Sequence, residues 1–179
     1  MTVMTRPTGR TSGGARFKLG MRSLVGGVTV IGAHGPDGHP VGLTATAVTS
    51  LTADPPSLLV CVNRQSTIAS ALGEDAAFSV NVLTDRQTDV ARAFGGQMDV
   101  RGTSRFAFGN WMRSAESEVP LLVGCRVAFD CTVAHVHDWA THHVVIGTVR
   151  DIHFFDAEAG PLAYCDGGYR SVVPLPGDA

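Results

Sequence analysis

The sequence has little charge and no concentration of basic residues. Charged residues make up 17% of the chain, the formal net charge is −2, and Lys and Arg are scattered along it. Proteins that bind DNA or RNA present a basic patch or stripe to the phosphates. We therefore expect no nucleic acid among the partners of this protein.

Long apolar runs are also missing. The longest run of apolar and weakly polar residues, 24–33, contains three glycines. It is about half as long as the ~20 residues of a membrane-spanning helix. The sequence shows no secretory signal peptide, and its four cysteines include no C-x-x-C pair. These absences predict a cytoplasmic protein without a membrane segment, whose thiols are reduced and mostly buried.

The common motifs of nucleotide-binding and hydrolytic enzymes are absent as well. The chain contains no G-x-G-x-x-G, no G-x-x-x-x-G-K-[ST] and no G-x-S-x-G, which argues against a Rossmann fold, a P-loop and a serine hydrolase of the nucleophile-elbow type. His135 and His137 share a predicted strand face beside Asp138, but no Glu follows to complete a metal motif. We interpret these histidines as exposed strand-end residues and predict no metal site.

The sequence does contain enough apolar residues for one packed domain. Apolar residues account for 44% of its 179 residues, a composition typical of a single globular unit. Residues 1–16 carry three arginines and no acidic residue, and we predict that they form a flexible tail ahead of a domain over residues 17–179. Phe17, Met21, Leu24 and Val25 have helical spacing and predict a short helix that ends at Gly26-Gly27.

Strand patterns dominate the remainder of the chain. A Gly-Pro-Asp-Gly turn at 35–38 predicts a hairpin between residues 28–33 and a strand beginning near Val41. Ser66 and Asp85 are candidate N-caps of two short helices. The further predicted strands are residues 42–50, 58–62, 78–83, 125–133, 144–149, 152–155 and 161–169. Many short strands with few helices predict a mainly β protein with a small antiparallel barrel.

Two details of this pattern bear on function. In residues 125–133, alternation predicts two faces. The inner face has Cys125, Val127, Phe129, Cys131 and Val133, and the opposite, polar face has Arg126, Asp130 and Thr132. Residues 95–118 are long for a structureless loop and are a candidate lid or binding segment. The aromatic residues Phe106, Phe108 and Trp111 in this segment would either stack on a ligand or anchor the segment by packing.

Hydroxyl side chains line one face of the stretch that follows the hairpin. In a single strand, Thr44, Thr46, Val48 and Ser50 share a face, while the residues between them point the other way. Small polar residues would let a flat heterocycle approach backbone N–H groups, with hydroxyls meeting its carbonyls and ring nitrogens. A threonine-rich strand facing solvent is the alternative interpretation.

A second candidate lies where the next strand ends. Residues 61–66 run Cys-Val-Asn-Arg-Gln-Ser and lead from a buried strand into a predicted helix capped by Ser66. A helix N-terminus with an adjacent Arg favours a phosphate. A plain capped helix is the alternative.

These segments together resemble the short-chain flavin reductase family. The resemblance is most specific in Gly42-Leu43-Thr44-Ala45-Thr46-Ala47-Val48-Thr49-Ser50-Leu51, Asp54-Pro55-Pro56 and Ser57-Leu58-Leu59-Val60-Cys61-Val62-Asn63. It continues in Gly27-Val28-Thr29-Val30, Phe78-Ser79-Val80-Asn81-Val82-Leu83, Pro120-Leu121-Leu122, Thr141-His142, Ile146-Gly147-Thr148-Val149 and Pro161-Leu162-Ala163-Tyr164 with Tyr169.

The resemblance implies a split β-barrel of the Greek-key, FMN-binding type, working as a homodimer with FMN or FAD near the subunit interface. It implies that the isoalloxazine lies against the threonine stretch and the phosphate against the loop after Asn63. His142, by its spacing to Gly147, would be the catalytic residue on the side where nicotinamide stacks. The implied cofactor-binding residues are Thr44, Ala45, Thr46, Ala47, Val48, Ser50, Cys61, Val62, Asn63, Arg64, Ser66 and Tyr169.

The implied activity is NAD(P)H:flavin oxidoreduction, with NADH or NADPH as hydride donor and FMN or FAD as acceptor. Reduced flavin would then pass to a partner monooxygenase. A flavoprotein that holds FMN tightly and only carries electrons or senses redox state is the alternative, and an oxidase of the pyridoxamine-phosphate type is a third reading. Because adjacent strand residues point to opposite faces, we expect only one of His142 and His143 to line the cleft.

Overall fold

The computed structural model describes residues 13–155 and 158–177. Its two α-helices are α1 (Gly13–Met21) and α2 (Thr88–Phe94), and short 3₁₀ helices cover Ala69–Ala71, Asp85–Gln87 and Gly102–Ala107. The strands are β1 (Gly26–Gly27), β2 (Thr29–His34), β3 (Pro40–Ala45), β4 (Val48–Ala53), β5 (Pro56–Asn63), β6 (Ala77–Val82), β7 (Trp111–Arg113), β8 (Pro120–Leu122), β9 (Val127–Trp139), β10 (His142–Phe154), β11 (Leu162–Cys165) and β12 (Gly168–Ser171). The prediction of a mainly β protein with few helices is confirmed.

A seven-stranded antiparallel sheet forms the centre of the molecule. Its strand order is β3-β2-β6-β9-β10-β5-β4, and two smaller sheets, β1-β11-β12 and β7-β8, accompany it. The edge strands β3 and β4 follow each other in the chain, separated only by Thr46 and Ala47. The two edges therefore approach each other at this end, so the sheet curves strongly.

The predicted hairpin around residues 35–38 is confirmed. Strand β2 pairs with β3 from Thr29↔Ala45 to His34↔Pro40, and the turn is closed by the Gly35 N–H, which donates to the His39 carbonyl at 2.8 Å. Gly38 adopts a φ of 76° in this turn, a conformation that glycine reaches without a Cβ clash.

Two hydrophobic clusters cover the faces of the sheet. Strand β2 contributes to both, because Ile31 packs in the first cluster and Val30 in the second. The first contains Val60, Val62, Phe78, Val80 and Val145, and the second contains Leu83, Phe94, Leu121, Leu122 and Leu162. Alternating side chains thus explain why β2 is buried over five consecutive residues.

The N-terminal helix differs from its prediction. It begins at Gly13 and ends at Met21, it has no buried residue, and Phe17 on its predicted inner face is 67% exposed. Leu24 and Val25 lie beyond the helix, and Gly26-Gly27 forms β1. Phe17 and Met21 lie in the helix as predicted, but no neighbouring element within the described residues covers its apolar side chains. Residues 1–12 of the predicted tail lie outside the described residues.

Both predicted helix caps are corrected. Ser66 does not cap an α-helix, because only a three-residue 3₁₀ helix follows and the Ser66 hydroxyl donates to the Asn63 carbonyl at 2.6 Å. Before the second helix, the chain forms the 3₁₀ helix Asp85–Gln87, whose N-cap is Thr84 rather than Asp85, and the Thr84 N–H donates to Gln87 Oε1 at 3.0 Å; α2 itself has Gln87 at its N-cap position. Asp85 lies in the first turn of the 3₁₀ helix instead.

Asp130 overturns part of the alternation predicted for residues 125–133. It is fully buried, and its Oδ2 accepts hydrogen bonds from the hydroxyls of Ser114 and Ser117. The carboxylate thereby fastens residues 114–117 to β9, and residues 95–118 contain a 3₁₀ helix and β7 rather than a structureless loop. The two strands predicted at 144–149 and 152–155 are one continuous strand, β10, with irregular register near Gly147 and Arg150.

The cysteines match their prediction as thiols. Cys125 and Cys131 are buried, Cys61 and Cys165 are partly buried, and all four are unbridged. Burial raises the pKa of Cys125 and of Cys131 to about 12, because the low-polarity interior disfavours a thiolate. Within the described residues, no helix has the length and apolar character needed to cross a membrane.

Gly147 allows β10 to pass close to the core. A Cβ at this position would lie 2.7 Å from Phe78 Cε1 and closer still to Cζ. We expect Gly147→Ala to lower the free energy of unfolding by roughly 1–3 kcal/mol, because the fully buried ring has no space to yield. Gly73→Ala is the control, since a Cβ there meets nothing within 4 Å. Chemical denaturation of both variants measures the difference, and equal stabilities would contradict the packing argument.

Candidate functional site

The threonine stretch is broken at Thr46 and Ala47. Strand β3 ends at Ala45 and β4 begins at Val48, so the prediction of one continuous strand over residues 42–50 is wrong. The reason is tertiary: β3 pairs with β2 at one edge of the central sheet, whereas β4 pairs with β5 at the other edge. The chain must bend between the two edges, and its hydroxyls no longer share a face.

The bend exposes backbone donors. The Ala47 carbonyl accepts a hydrogen bond from the Cys61 N–H at 3.0 Å. Among the described residues, the amide N–H groups of Thr46 and Ala47 have no hydrogen-bond acceptor, and both residues are exposed. These two N–H groups, beside small side chains, suit the carbonyls and ring nitrogens of a flat heterocycle.

A small cleft lies on one side of the bend. It measures about 180 Å³ and is lined by Val28, Thr44, Thr46, Gly95, Gln97, Tyr164 and Tyr169. The rings of Tyr164 and Tyr169 meet edge to face with centroids 5.2 Å apart. Burial raises the pKa of Tyr169, so its phenol stays protonated at neutral pH. The Thr44 hydroxyl is already engaged, since it donates to the Ala91 carbonyl at 2.8 Å.

A larger, mostly apolar cleft lies on the other side. It measures about 400 Å³ and is lined by Gly27, Thr29, Val48, Thr49, Ser50, Thr52, Pro56, Ser57, Leu58, Val82, Phe129, Val149 and Ile152. Val48 and Ser50 therefore lie apart from Thr44, which lines the small cleft. Ala45 contributes no side chain to either cleft, because it is buried in the first hydrophobic cluster.

The loop that was predicted to bind a flavin phosphate begins at Asn63, the last residue of β5. Asn63 Oδ1 accepts a hydrogen bond from the Gln65 N–H at 2.9 Å, and the Ser66 hydroxyl binds the Asn63 carbonyl. Cys61 is partly buried, but Val62 is fully buried in the first cluster, so its side chain cannot reach a ligand in this loop. Because no α-helix follows Ser66, no helix dipole favours a phosphate at this loop, and its positive charge comes from Arg64.

The start of β10 lies beside this loop. The register places His142 opposite Asn63 and His143 opposite Val62, and the Arg64 N–H donates to the Thr141 carbonyl at 3.0 Å. His142 is exposed, with its Nδ1 2.9 Å from Thr141 Oγ1.

His143 has different surroundings. Its side chain is 19% exposed, and its Nδ1 lies 2.5 Å from Asp138 Oδ1. The other oxygen, Asp138 Oδ2, lies 3.7 Å from a guanidinium nitrogen of Arg64. The hydrogen bond with His143, together with the charge of Arg64, holds the pKa of Asp138 below its usual value. Asp138 is thus charged and shared between a histidine and an arginine.

The profile of the flavin reductase like domain matches residues 21–173. The chain belongs to this family. It is 36% identical over 162 residues to an FMN reductase (NADH) RutF 1 of Methylorubrum extorquens, and the match covers 90% of this chain and 78% of the relative. It is 33% identical over 158 residues to the 4-hydroxyphenylacetate 3-monooxygenase reductase component of Pseudomonas aeruginosa, covering 88% and 92% of the two chains. BorF, the flavin reductase component of a bacterial two-component tryptophan halogenase, superposes with a TM-score of 0.80 at 28% identity, covering 90% of this chain and 99% of BorF.

In this flavin reductase like domain, three candidate site segments lie together at one end of the central sheet. They are the Thr46–Ala47 bend, the end of β5 with Asn63 and Arg64, and the start of β10 with His142. The bend is hydrogen-bonded to β5, and β5 pairs with β10. Tyr169 lines the small cleft that includes Thr46. A flavin fits the chemistry of this end, because it offers ring carbonyls for the N–H groups and, in FMN or FAD, a phosphate for Arg64.

The aromatic residues of the 95–118 segment serve as packing anchors. The ring centroids of Phe106 and Trp111 are 5.0 Å apart, and they lie 4.9 and 5.4 Å, respectively, from the ring centroid of Phe94. The Trp111 Nε1–H donates a hydrogen bond to the Phe108 carbonyl at 2.8 Å. They cover the second hydrophobic cluster of the family domain. Of the two roles left open by the sequence, the structure supports the anchoring role.

Three residues near the site were not predicted from the sequence to take part in it. Gln97 and Tyr164 line the small cleft, and Asp138 pairs with Arg64. The sequence signal for Asp138 was its position across a short turn from His143, because residues flanking a hairpin turn become cross-strand partners. His135, considered above with Asp138, instead pairs with Glu74, with its Nδ1 2.9 Å from the carboxylate.

Proposed function

We propose that this chain is an NADH-dependent flavin reductase that reduces FMN or FAD and supplies the reduced flavin to a partner monooxygenase. The observation that carries the proposal is the convergence of the Thr46–Ala47 bend, Arg64 and His142 at one end of the central sheet. The names of its relatives support the assignment, because one is an NADH-dependent FMN reductase and another is a monooxygenase reductase component.

Bound flavin would supply the hydride-accepting chemistry, so the protein needs no acid–base pair of its own. The N–H groups of Thr46 and Ala47 would offset the negative charge that develops on the ring system during reduction. Arg64 and the turn at Asn63 would hold the phosphate. His142 would flank the nicotinamide and align the two rings for hydride transfer.

The deciding experiment is steady-state oxidation of NADH, and then of NADPH, with FMN, FAD and riboflavin supplied in turn. Saturable oxidation that depends on added flavin supports the proposal. A spectrum of the purified protein with NADH and no added flavin tests the alternative, a flavoprotein with tightly held FMN. Flavin that copurifies and is reduced in place, with no response to added flavin, would favour that alternative.

We also propose that the working form is a homodimer of split barrels, with the flavin near the subunit interface. Two features support the dimer: α1 has no buried residue, and large apolar side chains such as Trp139 and Phe154 are 72% and 80% exposed. The short connection between the sheet edges β3 and β4 supports a nearly closed barrel.

Light scattering of the purified protein should give twice the mass of one chain, because a second subunit would cover the exposed apolar side chains and complete the open clefts. A monomer that reduces flavin at the full rate would remove the interface from the site. Location in the cytoplasm stays a prediction from the sequence.

A further inference from the structure

We propose that Asp138 competes with the flavin phosphate for Arg64 and so keeps FMN exchangeable. This inference rests on the proposed function, because it assigns Arg64 to the phosphate of a flavin that must be released after reduction. It concerns release rather than hydride transfer.

The first observation is that Arg64 already has an anionic partner. Its guanidinium lies 3.7 Å from Asp138 Oδ2, and the two side chains are 48% and 55% exposed. An exposed pair of this kind contributes little to stability. A phosphate can therefore displace the carboxylate from Arg64. Breaking the Arg64–Asp138 ion pair costs energy, which lowers the net affinity for the phosphate.

The second observation is that Asp138 is held in place. His143 Nδ1 lies 2.5 Å from Asp138 Oδ1, and the two residues are cross-strand partners in the β9–β10 hairpin. The backbone hydrogen bond from Arg64 to Thr141 ties the loop after Asn63 to the same hairpin. The carboxylate thus stays within reach of Arg64 and can re-form the ion pair whenever the phosphate dissociates.

Arg64 contributes one positive charge and Asp138 one negative charge, so this pair offers no net charge to a phosphate that carries nearly two negative charges at neutral pH. Among mutants of one binding site, most differences in affinity arise in the dissociation rate. We therefore infer that Asp138 accelerates flavin release.

Binding of FMN and of riboflavin to the full-length protein, measured by flavin fluorescence without NADH, tests the inference. We expect Asp138→Asn to tighten FMN binding by about threefold to tenfold and to slow FMN dissociation, because the phosphate no longer has to break an exposed ion pair, whose energy is of this size. Riboflavin, which lacks the phosphate, should bind the variant and the wild type equally. Asp138→Glu, which keeps the charge, should stay close to the wild type.

Asp151→Asn is the matched control. Asp151 is 50% exposed and also pairs with a histidine, His153, at 3.2 Å, but it lies nine residues along β10 from His142, about 30 Å at the rise of an extended strand. It changes net charge equally and should leave FMN binding unchanged. A similar gain in Asp151→Asn would reduce the effect to net charge and overturn the inference.

Two further outcomes are decisive. In an Arg64→Ala background, Asp138→Asn should lose most of its effect, and an undiminished effect would show that Asp138 does not act through Arg64. Weaker FMN binding in Asp138→Asn with normal riboflavin binding would mean that Asp138 orients Arg64 for the phosphate, contrary to the inference. Because these measurements use binding alone, a protein that fails to oxidise NADH overturns the proposed function without deciding the role of Asp138.

Discussion

His142→Ala should slow the reduction of bound flavin by NADH by about tenfold to a hundredfold, because small misalignments of reacting groups have effects of this size. His142 is exposed at the start of β10, and its ring contacts Thr141, so its removal should disturb neither the core nor the loop after Asn63. The affinity for FMN should therefore change little. Stopped-flow reduction of flavin-loaded protein measures the hydride step apart from product release.

His143→Ala is the internal control. Its ring binds Asp138 rather than Thr141, so its loss should not alter the rate of hydride transfer. A slow hydride step in His143→Ala and a normal one in His142→Ala would exchange the roles of the two histidines. Normal rates in both variants would remove His142 from the mechanism and leave ring alignment to the Thr46–Ala47 bend.

Arg64→Ala should weaken FMN binding by about tenfold and leave riboflavin binding unchanged. A charge-assisted hydrogen bond contributes about 1.5–3 kcal/mol, and we expect the lower end because the guanidinium is half exposed and shared with Asp138. Titration of the protein with each flavin measures the difference.

Arg150→Ala is a suitable comparison for this prediction. Arg150 is 41% exposed and pairs with Glu116 at 3.6 Å, so the variant loses the same charge from a similar environment. FMN binding should be normal in it. Equal losses for FMN and riboflavin in Arg64→Ala would place the phosphate elsewhere.

Features that depend on neighbours along the chain could be predicted from the sequence alone. Alternation and turn residues predicted the β2–β3 hairpin, because a strand period of two and a Gly-Pro-Asp-Gly turn are local properties. The long ordered match from Gly42 to Asn63 indicated the family before any geometry was known. Burial of Cys125 and Cys131 also followed from the local pattern.

How these segments combine depends on contacts between residues that are far apart in the chain. The bend at Thr46–Ala47 exists because β3 and β4 pair at opposite edges of one sheet, which no local pattern contains. Asp130 can be buried because Ser114 and Ser117, on a separate segment, donate hydrogen bonds to one of its oxygens. The link from Arg64 through Asp138 to His143 joins a loop to a distant hairpin. Such contacts form between residues far apart in sequence, and their energies depend on geometry that a one-dimensional pattern does not carry.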